Sequence, residues 1–536
     1  MGGAGEQDEE GMSSHFPSAL SGLLTPEGYA HAADDIVLVE TPISWVLLAG
    51  QFAYKIKRPV QLPFIDMHSL ERRRFLCQEE LRLNRRFAPE LYLQVCCVVM
   101  VNGAARMGGS GVAVEYAVRM QRFDRQQELD RLLESGRIEA SELAEFGRRL
   151  AAIHERAPIV ESGQPWGEAA AVRALVLENW QQALSAADAP SGRPDVEALH
   201  APLIAKLDAT AAWFSRRRDA GCVRECHGDL HTRNIARIHG ELVAFDCVEF
   251  EPSFRWIDVA DECALLLMDM EARDRGALAH AFWDGYLEYS GDYQAHQVLD
   301  LYKAHRALVR AKVSALSSSG SQSSAERQSL RLEHSRLIEC AAHALSRRTV
   351  RLVLMCGLSG SGKTWLARRL APRLNMIHVR SDVERKRLAG LPATARSGSR
   401  PEQGLYAQSF DRAVYERLES CAESVLTGGY DALVDATFAR RIDRGRFAAL
   451  AARLQVTLTV IHCRADLSLM RARVVQRERL AADASEADER VLELQLQRWE
   501  PLSAEERFEI IEADTAREDL IDVVLRELSA GASGKR

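Results

Sequence analysis

The spacing of apolar and polar positions changes character twice along the chain. Between Asp35 and Lys57 the runs DIVLVET, ISWVLLAG and QFAYKIK are β-branched and aromatic and are punctuated by Pro42 and Gly50, which predicts successive antiparallel strands. In the next stretch, HSLERRRFLCQEELRLNRRF, the positions Phe75, Leu76, Leu81 and Leu83 recur at roughly helical spacing. Two more apolar runs, Leu93–Val101 and Val112–Met120, flank a glycine-rich turn at Asn102–Gly111. The pattern predicts a small lobe over residues 19–122, built as strands, helix, strands. From about Leu129 to Leu345 segments such as ELAEFGRRLAAIHERA and YKAHRALVRAKVSAL predict a helical lobe over 123–346. Within it SSSGSQSS (Ser317–Ser324) reads as a flexible low-complexity run. Beyond residue 347 short strand-like runs at Arg351–Cys356, Met376–Arg380, Ala432–Val434 and Thr457–His462 alternate with helices, which predicts a doubly wound parallel sheet over 347–536. Residues 1–18 read as a disordered leader.

Composition sharpens this picture only in places. A chain of 536 residues, 47% hydrophobic and 27% charged, is long enough for several cores and ordinary enough to fold. The formal net charge of -7 has no basic tail, so any anionic ligand must be held by a local site and no strong nucleic-acid signal stands out. Eleven scattered cysteines without metal-type C-x-x-C pairs, and a polar N-terminus without an apolar signal core, point to a reducing cytoplasm. The 15 histidines show no zinc-ligand spacing. Apolar stretches such as Cys263–Met268 are too short to cross a membrane.

The densest chemistry of the first half lies in CHGDLHTRNIARIHGELVAFDCVEF. Asp229 and Asn234 are five apart, and Asp246 follows one short hairpin later, after the turn His239-Gly240. That spacing suits an acid that orients an acceptor hydroxyl, followed by an Asn and an Asp that hold Mg²⁺ on ATP phosphates. The arrangement His227-Gly228-Asp229 through Asn234, then Asp246, then WIDVAD (Trp256–Asp261), resembles the aminoglycoside phosphotransferases over about Asp35–Ser346. The resemblance implies a bilobal α+β kinase-like domain, with Asp229 as catalytic base or hydroxyl-orienting residue and Asn234 and Asp246 as metal ligands. It also implies an ATP lysine on a small-lobe strand, Lys55, with a partner carboxylate at Glu79 or Glu80. Lys57 competes for that place, since period two puts both lysines on one face. Gly228 stands where protein kinases carry Arg, and the interval Asp246–Asp258 is too short for an activation segment, so a small-molecule acceptor is expected.

The second constellation, VLMCGLSGSGKTWLARRL, is a strand, a glycine-rich loop and an amphipathic helix, the context that a phosphate loop requires. Gly357, Gly360 and Gly362 permit close approach, and the amides of the loop, Ser359 and Ser361 included, can surround phosphates. Lys363 would reach the β and γ phosphates and Thr364 would sit on Mg²⁺. Asp382 falls at the C-terminal end of the next strand with Arg385 one turn on, positions from which an acid can take a hydroxyl proton and a cation can steady transferring charge. Asp382 could equally cap the helix that follows it. The D-x-x-R pair, YDALVDATF and LMRARVVQRERL together resemble P-loop kinases of the polynucleotide-kinase and zeta-toxin type over about Arg351–Leu502. That resemblance implies Asp382 as base, Asp435 as a Walker-B-like acid, and Arg473 and Arg477 as lid residues over ATP. The plainer alternatives are a solvated helix face for the arginines and a structural acid for Asp435.

The expected whole is a bilobal kinase-like domain followed by an α/β P-loop domain, using ATP and Mg²⁺ to phosphorylate small-molecule or nucleotide-like hydroxyls. A nucleic-acid end remains an option for the second domain. Two narrower expectations stand beside it: an active P-loop half with a substrate-recognising first half, and a nucleotide-gated switch.

Overall fold

The computed structural model describes residues 16–62, 65–187, 193–321, 323–393, 395, 408–480, 488–506 and 508–533. The chain forms two compact units, the first drawn from residues 1–131, 227–229 and 233–255, the second from 132–226, 230–232 and 256–536. Residues 1–15 of the expected leader lie outside the described residues. Phe16 packs edge-on against Trp45, and Ser18 already opens a 3₁₀ helix, Ser18–Leu24.

The first unit is built on a six-stranded antiparallel sheet. Its strands are β1 (Val37–Glu40), β2 (Ser44–Ala49), β3 (Phe52–Lys57), β4 (Tyr92–Val101), β5 (Ala104–Met107) and β6 (Ala113–Gln121), in the order β1-β2-β3-β6-β4-β5. Strand β3 lies between β2 and β6, so both of its edges are paired. Tyr54 and Ile56 enter an apolar core with Trp45, Leu47 and Leu23, while Lys55 and Lys57, at alternate positions, turn to the opposite face. Helix α1 (Leu70–Asn84) starts at Ser69, whose hydroxyl accepts from the Arg72 amide. Later in the chain, β7 (Ile235–Ile238) and β8 (Glu241–Ala244) pair as a hairpin. Its turn puts His239 and Gly240 at φ 50° and 86°, as a two-residue turn with both central residues left-handed requires.

The second unit opens with long helices, among them α2 (Ala140–Arg156), α3 (Val259–Glu271), α4 (Gly276–Ser290), α5 (His296–Gly320) and α6 (Ser324–Leu345). Ser317–Gly320, expected as a flexible run, complete the last turn of α5, and Ser324 begins α6; Gln322 lies outside the described residues. Hydrogen bonding inside one long helix overrides the low propensity of serine. In the WIDVAD segment Asp258 caps α3 through the Ala260 amide and holds the buried Arg217, which also grips Asp292, and Asp261 pairs with Arg306.

The same unit continues into a five-stranded sheet in which every pairing is parallel. It comprises β9 (Arg351–Cys356), β10 (Met376–Arg380), β11 (Asp431–Asp435), β12 (Thr457–Arg464) and β13 (Glu509–Asp514), in the order β10-β11-β9-β12-β13. The strands are near-continuous apolar runs because helices cover both faces. The helices that matter below are α7 (Lys363–Leu374), α8 (Ser381–Leu388), α9 (Gln408–Thr427), α10 (Leu467–Leu480) and α11 (Glu489–Arg498). Among the described residues, no helix is long and apolar enough to cross a membrane.

Candidate functional site

In the first unit, charged side chains from three stretches of chain meet on one face of β3. Lys55 Nζ lies 2.9 Å from Glu80 and 2.5 Å from Asp246. Lys57 Nζ lies 2.5 Å from the other oxygen of Glu80 and contacts Glu249. Burial opposes the charged form of Lys55, but Asp246, Glu80 and Glu249 outweigh it and hold its pKa well above the usual lysine range. Burial works against the Glu80 carboxylate too, and the two lysines overcome it and hold that pKa low.

The two lysines are not equivalent. Lys57 is fully enclosed, whereas the Lys55 side chain keeps 11% exposure and Asp246 keeps 44%, so the Lys55–Asp246 end is the open one. Of the two carboxylates expected as the partner of Lys55, Glu80 takes the place, while Glu79 pairs with Arg82 at 2.8 Å and lies 3.8 Å from Arg255. One residue is a rotation of about 100° around a helix, and it is Glu80 that this rotation turns toward the sheet.

The H-G-D loop is tied to the hairpin through the His227 side chain. The His227 ring, through Nε2, contacts the Phe245 carbonyl at 2.8 Å, while Nδ1 accepts from the Asp229 amide, which selects the Nε2–H tautomer. A residue larger than glycine cannot stand at 228: φ is 91°, and a Cβ would lie 2.8 Å from the Phe254 carbonyl. The Asn234 amide donates to the Asp229 carbonyl at 3.0 Å and contacts its carboxylate at 3.3 Å, while Asp246 adopts φ 65° and its amide donates to Tyr92 Oη. Asp229, Asn234 and Asp246 therefore belong to one braced loop system, with Asp246 beside Lys55.

In the second unit the phosphate loop closes between β9 and α7. Gly357 and Gly360 have φ 145° and 81°, and a Cβ at Gly360 would meet the Met470 carbonyl at 2.4 Å, so these positions admit no side chain. Lys363 Nζ donates to the Leu358 carbonyl at 2.9 Å. Thr364 Oγ1 donates to Asp435 at 2.6 Å, and the His378 ring lies 3.5 Å from the same carboxylate. Burial would raise the Asp435 pKa, but His378, Lys363 and the Thr364 hydroxyl together bring it down to about 2. A buried carboxylate beside a hydroxyl is an oxygen-only donor pair, the chemistry that Mg²⁺ selects.

A cavity of about 430 Å³ opens here, lined by Lys363, Thr364, Asp382, Arg385, Asp435 and Arg477 among others. Asp382 lies inside the first turn of α8, whose N-cap is Arg380, so the alternative of Asp382 as the helix cap does not hold. Arg385 donates to Asp411 at 2.7 Å. The two expected lid arginines part company. Arg477 lines the cavity, whereas Arg473 is bound to the Gly360 carbonyl and to Thr515, beneath the loop. Sequence reading missed Gln495, whose side-chain oxygen accepts from the Ser359 amide at 2.8 Å, and Trp499, which lines the cavity. Neither carries a local motif; Gln495 on α11 and Trp499 just past its end arrive from more than a hundred residues downstream of the loop.

A protein-family model described as an AAA domain matches residues 352–502. The uncharacterized proteins Rv2004c of Mycobacterium tuberculosis (strain ATCC 25618 / H37Rv) and Mb2027c of Mycobacterium bovis (strain ATCC BAA-935 / AF2122/97) are each 30% identical to the chain over 460 residues, covering 85% of this chain and 90% of each relative. The chain belongs to the family of these mycobacterial proteins. Among solved structures, an aminoglycoside phosphotransferase from Alicyclobacillus acidocaldarius is similar over 63% of this chain and 96% of its own, at 13% identity and a TM-score of 0.35. A sugar kinase from Janibacter is similar over 34% and 95%, at 19% identity and a TM-score of 0.27. This member of the family joins a portion with a six-stranded antiparallel sheet and the H-G-D loop to a domain with a phosphate loop and an all-parallel sheet.

Proposed function

We propose that the chain is an ATP- and Mg²⁺-dependent phosphotransferase with two nucleotide sites, one in the kinase-like portion and one in the P-loop domain that begins near residue 347. Each would move the γ-phosphoryl group of ATP to a hydroxyl of a small-molecule or nucleotide-like acceptor. The observation that carries this is the grouping around one cavity of Lys363, the Thr364–Asp435 pair, Asp382 and Arg385. In this reading the loop amides and Lys363 hold the triphosphate, Thr364 and Asp435 hold Mg²⁺, and Arg477 covers the nucleotide. Mg²⁺ neutralises charge on the phosphate oxygens. Asp382 accepts the acceptor hydroxyl's proton as the new O–P bond forms, the β–γ bridging bond breaks and ADP departs. Arg385 steadies the charge on the transferring group. In the kinase-like portion Lys55, backed by Glu80, takes the nucleotide phosphates, Asn234 and Asp246 hold the metal, and Asp229 orients the acceptor hydroxyl.

The test incubates the protein and its Lys363→Ala and Asp229→Ala variants with ATP and a panel of hydroxyl-bearing metabolites. Each substitution is expected to abolish a different subset of products; turnover unchanged in both variants would refute the assignment. A narrower reading, with transfer by the P-loop domain alone, is favoured by the lack of a G-x-G-x-x-G ahead of Lys55. It would be selected if Asp229→Ala changed no product and Lys363→Ala removed them all.

A further inference from the structure

We propose that Lys57 and Glu249 are positioning residues that hold Lys55 and Asp246 in place for a metal-bound nucleotide. The inference rests on the nucleotide reading of the kinase-like portion and goes beyond it, because neither side chain reaches the open end of the site. Five charges alternate in one line: Asp246, Lys55, Glu80, Lys57, Glu249. Glu80 spends one oxygen on each lysine. Lys57 and Lys55 are two apart on β3, and Glu249 and Asp246 are three apart on the segment after the hairpin, so the Lys57–Glu249 contact clamps that segment to the strand at a second point.

The segment is held along its backbone as well. The Asp246 amide donates to Tyr92 Oη, the Cys247 amide to Asn84 Oδ1 at 2.9 Å and the Val248 amide to the His227 carbonyl at 3.0 Å. Three consecutive amides are thereby tied down, and Glu249 is held through its side chain, while the Asp246 carboxylate stays half open.

A second lysine answers a specific physical problem. When phosphates and a metal compete for Lys55 and Asp246, Glu80 loses part of its counter-charge in a place that water does not reach. Lys57 is enclosed and cannot follow the ligand, so Glu80 keeps an ionic partner and a fixed position from which to steer Lys55. Glu249 in turn balances Lys57. Burial pushes the Glu249 pKa up despite Lys57, so the pair is a costly one to place in a core. Apolar residues of similar volume stabilise a core as well or better, which favours a positional role over a stabilising one.

The experiment uses the full chain carrying Lys363→Ala, so that the phosphate loop is silent, and titrates a fluorescent ATP analogue at a series of Mg²⁺ concentrations. In Glu249→Gln the Mg²⁺ concentration for half-maximal binding is expected to rise about 10-fold or more, the scale for residues that orient a metal ligand, with metal-free binding little changed. Glu249→Asp is expected to recover part of the shift. Should Glu249→Gln fail to fold, the charge-balanced pair Lys57→Met with Glu249→Gln gives the same readout. An unshifted Mg²⁺ dependence in a variant that melts like its parent would overturn the inference, as would equal loss of metal-free and metal-bound affinity. No binding by the Lys363→Ala parent would overturn the nucleotide reading of this portion and the inference with it.

Discussion

The Lys55 centre and the Lys363 loop answer the same electrostatic demand with opposite construction. Around Lys55 the work is done by side chains from β3, α1 and the segment after β8, a span of about 190 residues, and the lysine rests on carboxylates. Around Lys363 it is done by eight consecutive residues whose amides and carbonyls are already placed, and the lysine rests on the Leu358 carbonyl. A site made of backbone depends on local dihedral angles and tolerates distant change. A site made of buried charges depends on every member, because each one removed leaves another uncompensated.

The sharpest way to break this contrast is Glu80→Gln. It leaves two buried lysines short of counter-charge and is expected to cost about 3–5 kcal/mol of stability in the first unit, read by urea denaturation. Its neighbour Glu79→Gln, which pairs with the half-exposed Arg82 and leaves both lysines their counter-charge, should cost markedly less. Equal losses would mean that the buried network has no special standing.

Acid separates the two units next. Burial depresses the His296 pKa to about 4; its Nε2 accepts from Trp283 Nε1 and its Nδ1 faces the Tyr293 carbonyl, an arrangement that suits only the neutral ring. Because the folded pKa lies below the unfolded value of about 6.5, the unfolded state binds more protons between them, and stability is lost as pH falls from about 6.5 to about 4, by roughly 3 kcal/mol. The Glu80 pKa is depressed to about 2, so the stability it contributes, full above the unfolded value of about 4.5, is lost only as pH falls from there toward about 2. Hydrogen exchange as a function of pH should therefore show α4 and α5 loosening before α1 and β3, and simultaneous loosening would contradict it.

A smaller loss than that of Glu80→Gln is expected for Gly360→Ala. The new methyl would sit at φ 81° and 2.4 Å from the Met470 carbonyl, so about 1–3 kcal/mol of strain is expected, seen as a lower melting temperature and weaker protection by nucleotide. An alanine accommodated without loss would show that the loop is less constrained than its backbone implies.

Legibility from sequence followed the same divide. The phosphate loop, the His239-Gly240 hairpin and the alternation of β3 could be read because each is set by neighbours a few residues away. The choice of Glu80 over Glu79 could not, since both lie on one helix and only the docking of α1 on the sheet selects the carboxylate that turns inward. The apparent symmetry of Lys55 and Lys57 failed for a related reason: both face the same side, but the closure of α1 and the 246–249 segment over one of them is a packing event. Arg473 and Arg477, one turn apart in an Arg-rich helix, were separated by where α10 lies against the loop.

By itself the sequence determined the kinds of element, the presence of a glycine loop ahead of a lysine and a threonine, and an acid-bearing loop followed by a hairpin and a second acid. These are short-range matters of dihedral preference, hydrogen bonding and periodicity. Tertiary structure alone decided which charges are sealed and which stay open, that Gln495 meets the Ser359 amide, and that Glu249 joins Lys57. Such contacts link positions from more than a hundred to nearly two hundred residues apart, and burial and electrostatics at that range exist only once the chain has packed.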